Sequence, residues 1–175
     1  MRDRLRLGCL GERTNSRRAA ERAGERYEAV GFQNMDRVFS SLGRGEVDRI
    51  IVPVENSITG RIGNYYNRVV ESGLRVIDEI VIPIVHCIAA RSEQIGFVLS
   101  HEQALMQCAG YLDMYFPESY RGAVCSTEEA ARMISQASTN GAAIASLEAC
   151  EHYRLRVIAS DIAKGNKSKF WVCEK

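Results

Sequence analysis

Ile50-Ile51-Val52-Pro53-Val54 is an unbroken apolar run set between Asp48-Arg49 and Glu55-Asn56-Ser57. A strand with one face in water alternates apolar and polar residues. A run without alternation fits a strand buried on both faces, and such strands belong to α/β proteins with helices on either side of the sheet. The run ends in a carboxylate, an amide and a hydroxyl, then Gly60, and Ile62, Tyr65, Tyr66, Val69 and Val70 follow at helical spacing. Polar groups where a parallel strand gives way to a helix are where α/β folds place ligand sites. The same residues also suit an ordinary strand end with its cap and turn, and both readings stand at this point.

The rest of the chain repeats the pattern. Strands are expected at residues 5–10, 29–32, 95–99, 123–125, 142–145, 155–159 and 169–173. Helices are expected at 17–26, 34–42, 62–70, 103–114, 128–137 and 147–152, with Gly43 and Gly73 as stops for the second and third. Residues 74–85 are β-rich but too long for one central strand, and Pro83 within them predicts an edge strand or a crossing between two bodies. Alternating β and α units with short connections predict an α/β fold with mostly parallel sheets and flanking helices. The interruption at Pro83 divides it into two lobes, residues 1–84 plus 160–175 and residues 85–159, with a cleft between them.

Composition excludes several partners. With 23 basic and 22 acidic side chains among 175 residues, neither nucleic acid nor an anionic membrane is an expected partner. The arginines of the first forty residues are interleaved with Asp3, Glu12, Glu21, Glu25 and Glu28, the pattern of a solvated helix face. The longest apolar stretch, 80–90, is broken by Pro83 and His86 and is too short to span a bilayer, and the first residues do not resemble a secretory signal. Six cysteines stand singly with no C-x-x-C pair, which predicts buried thiols in a reducing cytoplasm and no zinc site.

Hydroxyl residues recur where strands end: Thr14 and Ser16, Ser57 and Thr59, Ser100, Ser126 and Thr127, and Ser146. Each suits a helix cap, and Ser100 with Gln103 and Ser126 with Glu129 have capping-box spacing. Together they predict a surface lined by hydroxyls and helix N-termini, which favours an anion such as a small dicarboxylate. No G-x-S-x-G, phosphate-binding loop or H-E-x-x-H is present. His86, inside an apolar run, reads as a core or hinge histidine; His101, after Ser100, is the better functional candidate. Cys108 falls mid-helix and away from any histidine partner, so thiol catalysis is not expected.

Four of these segments, in order, resemble the signatures of prephenate dehydratase: Val52-Pro53-Val54-Glu55-Asn56-Ser57 with Gly60; Ser100-His101-Glu102-Gln103-Ala104-Leu105-Met106-Gln107-Cys108; Ser126-Thr127; and Ala142-Ala143-Ile144-Ala145-Ser146. The resemblance runs over almost the whole chain. It implies two α/β lobes like those of periplasmic binding proteins, with the active site in the cleft. It also implies loss of water and carbon dioxide from prephenate to give phenylpyruvate in phenylalanine biosynthesis. The implied enzyme is a cytoplasmic carbon–oxygen lyase that needs no metal or organic cofactor, and family resemblance suggests a homodimer.

The family's catalytic Asn-x-Thr-Arg-Phe is Asn166-Lys167-Ser168-Lys169-Phe170 here. Ser168 keeps a hydroxyl without the rotamer-fixing methyl, and Lys169 keeps a charge without the planar fork of arginine. Glu12 and Arg13 are extra before Thr14-Asn15-Ser16, where the family has Gly-Thr-Phe-Ser, and Glu102 replaces the usual proline. The resemblance implies Ser168, Lys169 and Glu55 as catalytic residues. Ser168 would assist departure of the ring hydroxyl, Lys169 and the Ser126/Thr127 helix start would hold carboxylates, and Glu55 with Asn56 would order the cleft floor. Thr14, Ser16, Asn56, Ser57, Ser100, His101, Gln107, Ser126, Thr127, Ser146, Asn166 and Phe170 are the implied substrate-binding set. Family members usually continue into a regulatory ACT domain; with Lys175 as the last residue, feedback in cis is not expected. A non-aromatising prephenate decarboxylase and a non-catalytic ligand-binding paralogue are the alternatives, the second suggested by the Ser-Lys replacement.

Overall fold

The computed structural model describes residues 4–11, 14–137 and 140–175, so the extra pair Glu12-Arg13 and the acidic residue Asp3 lie outside the described residues. The chain divides into two compact units, one holding the residues up to Ile84 together with Lys167–Lys175, the other Val85–Asn166. The stretch 160–166 groups with the second unit instead of the first. Its Ile162 and Ala163 pack against Ile88 and Ile144, and Ile162 N donates to His86 O.

In the first unit the elements run β1 (Leu5–Leu10), α1 (Asn15–Arg22), β2 (Tyr27–Phe32), α2 (Met35–Arg44), β3 (Arg49–Asn56), β4 (Gly60–Arg61), α3 (Tyr65–Glu71) and β5 (Arg75–Pro83), completed by the C-terminal strand β11 (Lys167–Glu174). The sheet order is β2-β1-β3-β11-β5, with β4 paired to β3. β3 sits centrally, as its apolar run requires. Ile51 joins Leu7, Phe170 and Val172 under α1, while Ile50, Val52 and Val54 meet Val38 and Leu42 of α2 on the other face. Full burial of such a side chain is worth about 1.5–3 kcal/mol, so this run is a principal source of the unit's stability.

β1 and β2 run parallel to their neighbours, but β11 is antiparallel to both β3 and β5, so the sheet is mixed. Pro53, which has no N–H for a ladder, is tolerated in β3 for two reasons. β1 pairs with β3 only as far as Ile50, and a bulge interrupts the β3–β11 register between Glu55 and Pro53. β5 is an edge strand, as Pro83 predicts. α2 ends at Arg44, one residue past Gly43, because the left-handed C-cap is Gly45, with φ 73°.

The second unit contains β6 (Cys87–Ala90), β7 (Phe97–Ser100), α4 (Glu102–Gln107), α5 (Ala109–Tyr115), β8 (Tyr120–Ala123), α6 (Thr127–Gln136), β9 (Gly141–Ala145), α7 (Leu147–His152) and β10 (Arg156–Ala159). Its sheet order is β10-β6-β9-β7-β8, antiparallel on the β10–β6–β9 side and parallel on the β9–β7–β8 side. Central β9 is buried at every position. Gly141 is needed there, since a Cβ would fall 2.4 Å from the Phe97 ring. The single helix expected at 103–114 is two short helices that meet at Cys108.

Candidate active site

β3 does not lead straight into a helix. After Asn56 the chain turns back through β4, and α3 begins only at Tyr65. Ser57 and Thr59 therefore cap nothing and serve a hairpin. Asn56 Oδ1 accepts from the backbone N–H groups of Ile58 at 3.0 Å and Thr59 at 3.2 Å. Ser57 and Lys167 are stitched together across the strands, Ser57 N donating to Lys167 O and Lys167 N donating to Ser57 Oγ, each at 2.9 Å.

With its oxygen held by two backbone donors, the Asn56 amide must turn its nitrogen the other way. Asn56 Nδ2 donates to Lys167 O and to Ser168 Oγ, both at 3.0 Å. Asn56 and Ser168 are 2% and 5% exposed. Since Ser168 Oγ accepts this bond, its own proton remains to be given, and no described group accepts it. A buried hydroxyl aligned by an amide donor, with a proton to offer, suits a developing anionic oxygen.

Successive side chains of a strand point to opposite faces. Ser168, Phe170 and Val172 are buried on the α1 face, whereas Lys167, Lys169 and Trp171 point to the other. Glu55, opposite Lys169 in the ladder, shares its face. Lys169 Nζ lies 3.5 Å from both Glu55 Oε2 and Glu79 Oε1, and Glu79 also accepts from Trp171 Nε1 at 3.3 Å. The two carboxylates, Glu79 first, raise the Lys169 pKa above its ordinary value. The expected trio of Ser168, Lys169 and Glu55 is thus split by the pleat, and Lys169 meets two carboxylates of its own chain. An open depression of about 140 Å³ is lined by Glu55, Ser57, Lys167 and Lys169, and neither Asn56 nor Ser168 lines it. Phe170, expected against the substrate, is a core residue at 2% exposure.

The expected row of hydroxyls is mostly used internally. Thr14, Ser126 and Ser146 cap α1, α6 and α7, accepting from the N–H groups of Arg17, Glu129 and Ala149, and Thr127 is the first residue of α6. The Glu129 carboxylate pairs with Arg132, so the second capping box is not closed by its acid. Ser16 Oγ accepts from Leu10 N, and Ser100 Oγ donates inward to Ile144 O at 2.7 Å. α4 is capped by His101, whose Nδ1 accepts from Gln103 N at 3.2 Å.

His86, Gln107 and Asn166 form a second buried polar cluster, at 5%, 8% and 3% exposure. Gln107 Oε1 accepts from Asn166 Nδ2 at 2.8 Å and lies 2.6 Å from His86 Nε2. Burial lowers the His86 pKa, and the Gln107 hydrogen bond opposes it. His86 is thus the buried histidine its apolar surroundings predict, with Gln107 as its hydrogen-bond partner, while the His101 ring caps α4. Among the described residues, no group of three or more His, Cys, Asp or Glu side chains could hold a metal ion. Burial pushes the Cys9 thiol to about 11 and those of Cys108, Cys150 and Cys173 to about 12, which keeps them protonated and inert.

Residues 7–175 match the family model described as prephenate dehydratase. The chain belongs to the prephenate dehydratase family. It is 38% identical over 165 residues to arogenate dehydratase 2 of Petunia hybrida, covering 91% of this chain and 41% of that protein. It is 30% identical over 162 residues to the prephenate dehydratase of Lactococcus lactis, covering 89% and 58%. The chain therefore spans about half the length of the curated relatives it matches, or less. A solved prephenate dehydratase from Arthrobacter aurescens, in complex with L-Phe, superposes with a TM-score of 0.78 at 23% identity, over 98% of this chain and 60% of that one. At that identity the likeness establishes the fold, two α/β units of mixed sheet of the periplasmic-binding-protein type. Among the described residues no helix is long and apolar enough to cross a membrane.

Sequence reasoning does not single out Glu79, which stands opposite Trp171 in the β5–β11 ladder and reaches Lys169 diagonally.

Proposed function

We propose that this chain is a dehydratase domain that converts prephenate, or its amino analogue arogenate, to the aromatic product. The reading is carried by Ser168, a buried hydroxyl that Asn56 aligns from 3.0 Å and whose proton no described group accepts. It is supported by the family match over residues 7–175. In the reaction the bond from the ring to its carboxylate breaks and releases carbon dioxide. Those electrons enter the ring, and the C–O bond to the ring hydroxyl breaks. One proton is taken up as the hydroxyl leaves as water, and aromaticity of the product drives the step. Ser168 supplies a hydrogen bond to the departing oxygen; a single donor so placed contributes about 3–4 kcal/mol. Gln107, with its amide N–H groups, is the donor for a substrate carboxylate. Lys169 and Glu55, on the opposite sheet face from Ser168, support β3 and β11 and do not act on the reacting atoms.

The test is direct: incubate purified protein with prephenate and follow formation of phenylpyruvate by its ultraviolet absorbance in alkali, with arogenate and phenylalanine formation in parallel. Aromatic product from either substrate supports the proposal. Loss of substrate without an aromatic product indicates a decarboxylase. Unchanged substrate that still raises the melting temperature indicates a binding protein, and both of the latter results overturn the dehydratase reading.

A further inference from the structure

We propose that His86 is a positioning residue that sets the polarity of the Gln107 side-chain amide, so that Gln107 offers its NH2 group, and not its carbonyl, to an anionic ligand. The significance for catalysis rests on the dehydratase reading, but the polarity itself stands on hydrogen bonding alone. A carbonyl oxygen accepts hydrogen bonds and cannot give them. Because Gln107 Oε1 lies 2.6 Å from His86 Nε2, that ring nitrogen carries the proton, and Nδ1 of the neutral ring is bare. Asn166 Nδ2 takes the second lone pair at 2.8 Å. Both acceptor sites of the oxygen are filled, and no described group accepts from Gln107 Nε2.

The two ends of a primary amide have the same shape, so packing at 8% exposure cannot choose between them. At Asn56 the choice is made by the backbone, through the N–H groups of Ile58 and Thr59. No described backbone group bonds the Gln107 amide, and its partners are the side chains of His86 and Asn166. The cluster has a second self-consistent state, reached when the Asn166 amide turns over as well: with the His86 proton on Nδ1, the bare Nε2 would accept from Gln107 Nε2, Asn166 would present its oxygen in place of Nδ2, and the Gln107 carbonyl oxygen would face the ligand. A carboxylate would then meet a like partial charge, whereas the observed state would offer it the N–H groups of the amide. His86 is itself held in place, since its backbone carbonyl accepts from Ile162 N at 3.1 Å.

Two experiments test this. Long-range proton–nitrogen correlation spectra of the wild-type protein at neutral pH report the tautomer without requiring activity. The expected result is the Nε2–H form, and the Nδ1–H form overturns the proposal. The second is a kinetic double-mutant cycle with prephenate and arogenate on His86→Phe, Gln107→Leu and the double variant. His86→Phe is expected to lower kcat/KM roughly tenfold, the worth of one hydrogen bond, and to cost nothing further once Gln107 is leucine. His86→Gln, which restores an N–H donor, is expected to recover most of the loss. Additive losses in the cycle overturn the proposal. If the wild-type protein turns over neither substrate, the dehydratase reading fails while the tautomer still decides the role of His86.

Discussion

Asn56 and Ser168, 112 residues apart, share one hydrogen bond whose direction is settled. The Asn56 oxygen is committed to the Ile58 and Thr59 N–H groups, so its nitrogen must donate to Ser168 Oγ. This predicts a large effect from one isosteric change. In Asn56→Asp, a carboxylate would accept the hydrogen bond of the Ser168 O–H and turn that donor away from the reacting oxygen. We expect kcat to fall about 10²-fold with the circular dichroism spectrum unchanged. Wild-type turnover by Asn56→Asp would sink the assignment.

Ser168 itself is expected to behave as a donor. Ser168→Ala should lower kcat by about 10²–10³-fold, with a smaller change in KM. Ser168→Thr restores the family residue and should remain active. An alanine variant as active as wild type would show that this hydroxyl takes no part.

Lys169 belongs to the other face of the sheet, between Glu55 and Glu79, so Lys169→Met should cost less in kcat than Ser168→Ala. Its effect should appear in stability instead. The folded pKa is raised above the ordinary 10.5 by Glu79 and Glu55. The folded state therefore holds the proton more tightly, and the stabilisation is fully present below pH 10.5 and is lost as pH rises through the folded value. Melting temperatures of wild type and Lys169→Met should accordingly converge in strong alkali. A gap that is constant with pH would count against the ion cluster.

His86 gives the opposite slope. Burial lowers its pKa from the ordinary 6.5, so between the folded value and 6.5 the unfolded chain binds more protons. Stability from this residue is complete above pH 6.5 and is lost as pH falls toward the folded value. The melting temperature of wild type minus that of His86→Phe should therefore shrink on acidification below about that pH. Carboxylates and the other two histidines titrate alike in both proteins and cancel in the difference.

Much of the fold was legible because burial leaves a periodic trace. The unalternating run at 50–54 pointed to a strand covered on both faces, and Pro83 to an edge strand or a crossing between two bodies, of which the edge is observed. The apolar and polar alternation of β11 was equally available. Because that strand was expected to begin at 169 and not at Lys167, Ser168 was left outside it and grouped with its neighbour. The hairpin at β4 was hidden for a different reason: Ser57, Thr59 and Gly60 suit a helix cap and a tight turn equally well.

By itself the sequence determined the α/β class, the central strand and the family, since each is written in local composition and order. Tertiary structure alone decided which polar groups meet. Glu55 faces Lys169 and Asn56 faces Ser168 through the register of β3 with β11, strands more than a hundred residues apart in the chain. His86 meets Gln107 because α4 ends where the chain enters β6. Hydrogen bonds are directional and short, so a one-residue slip of β3 against β11 would exchange the two faces and separate both of the strand pairs. The apolar pattern limits the register, but only the assembled sheet places a donor 3 Å from its acceptor.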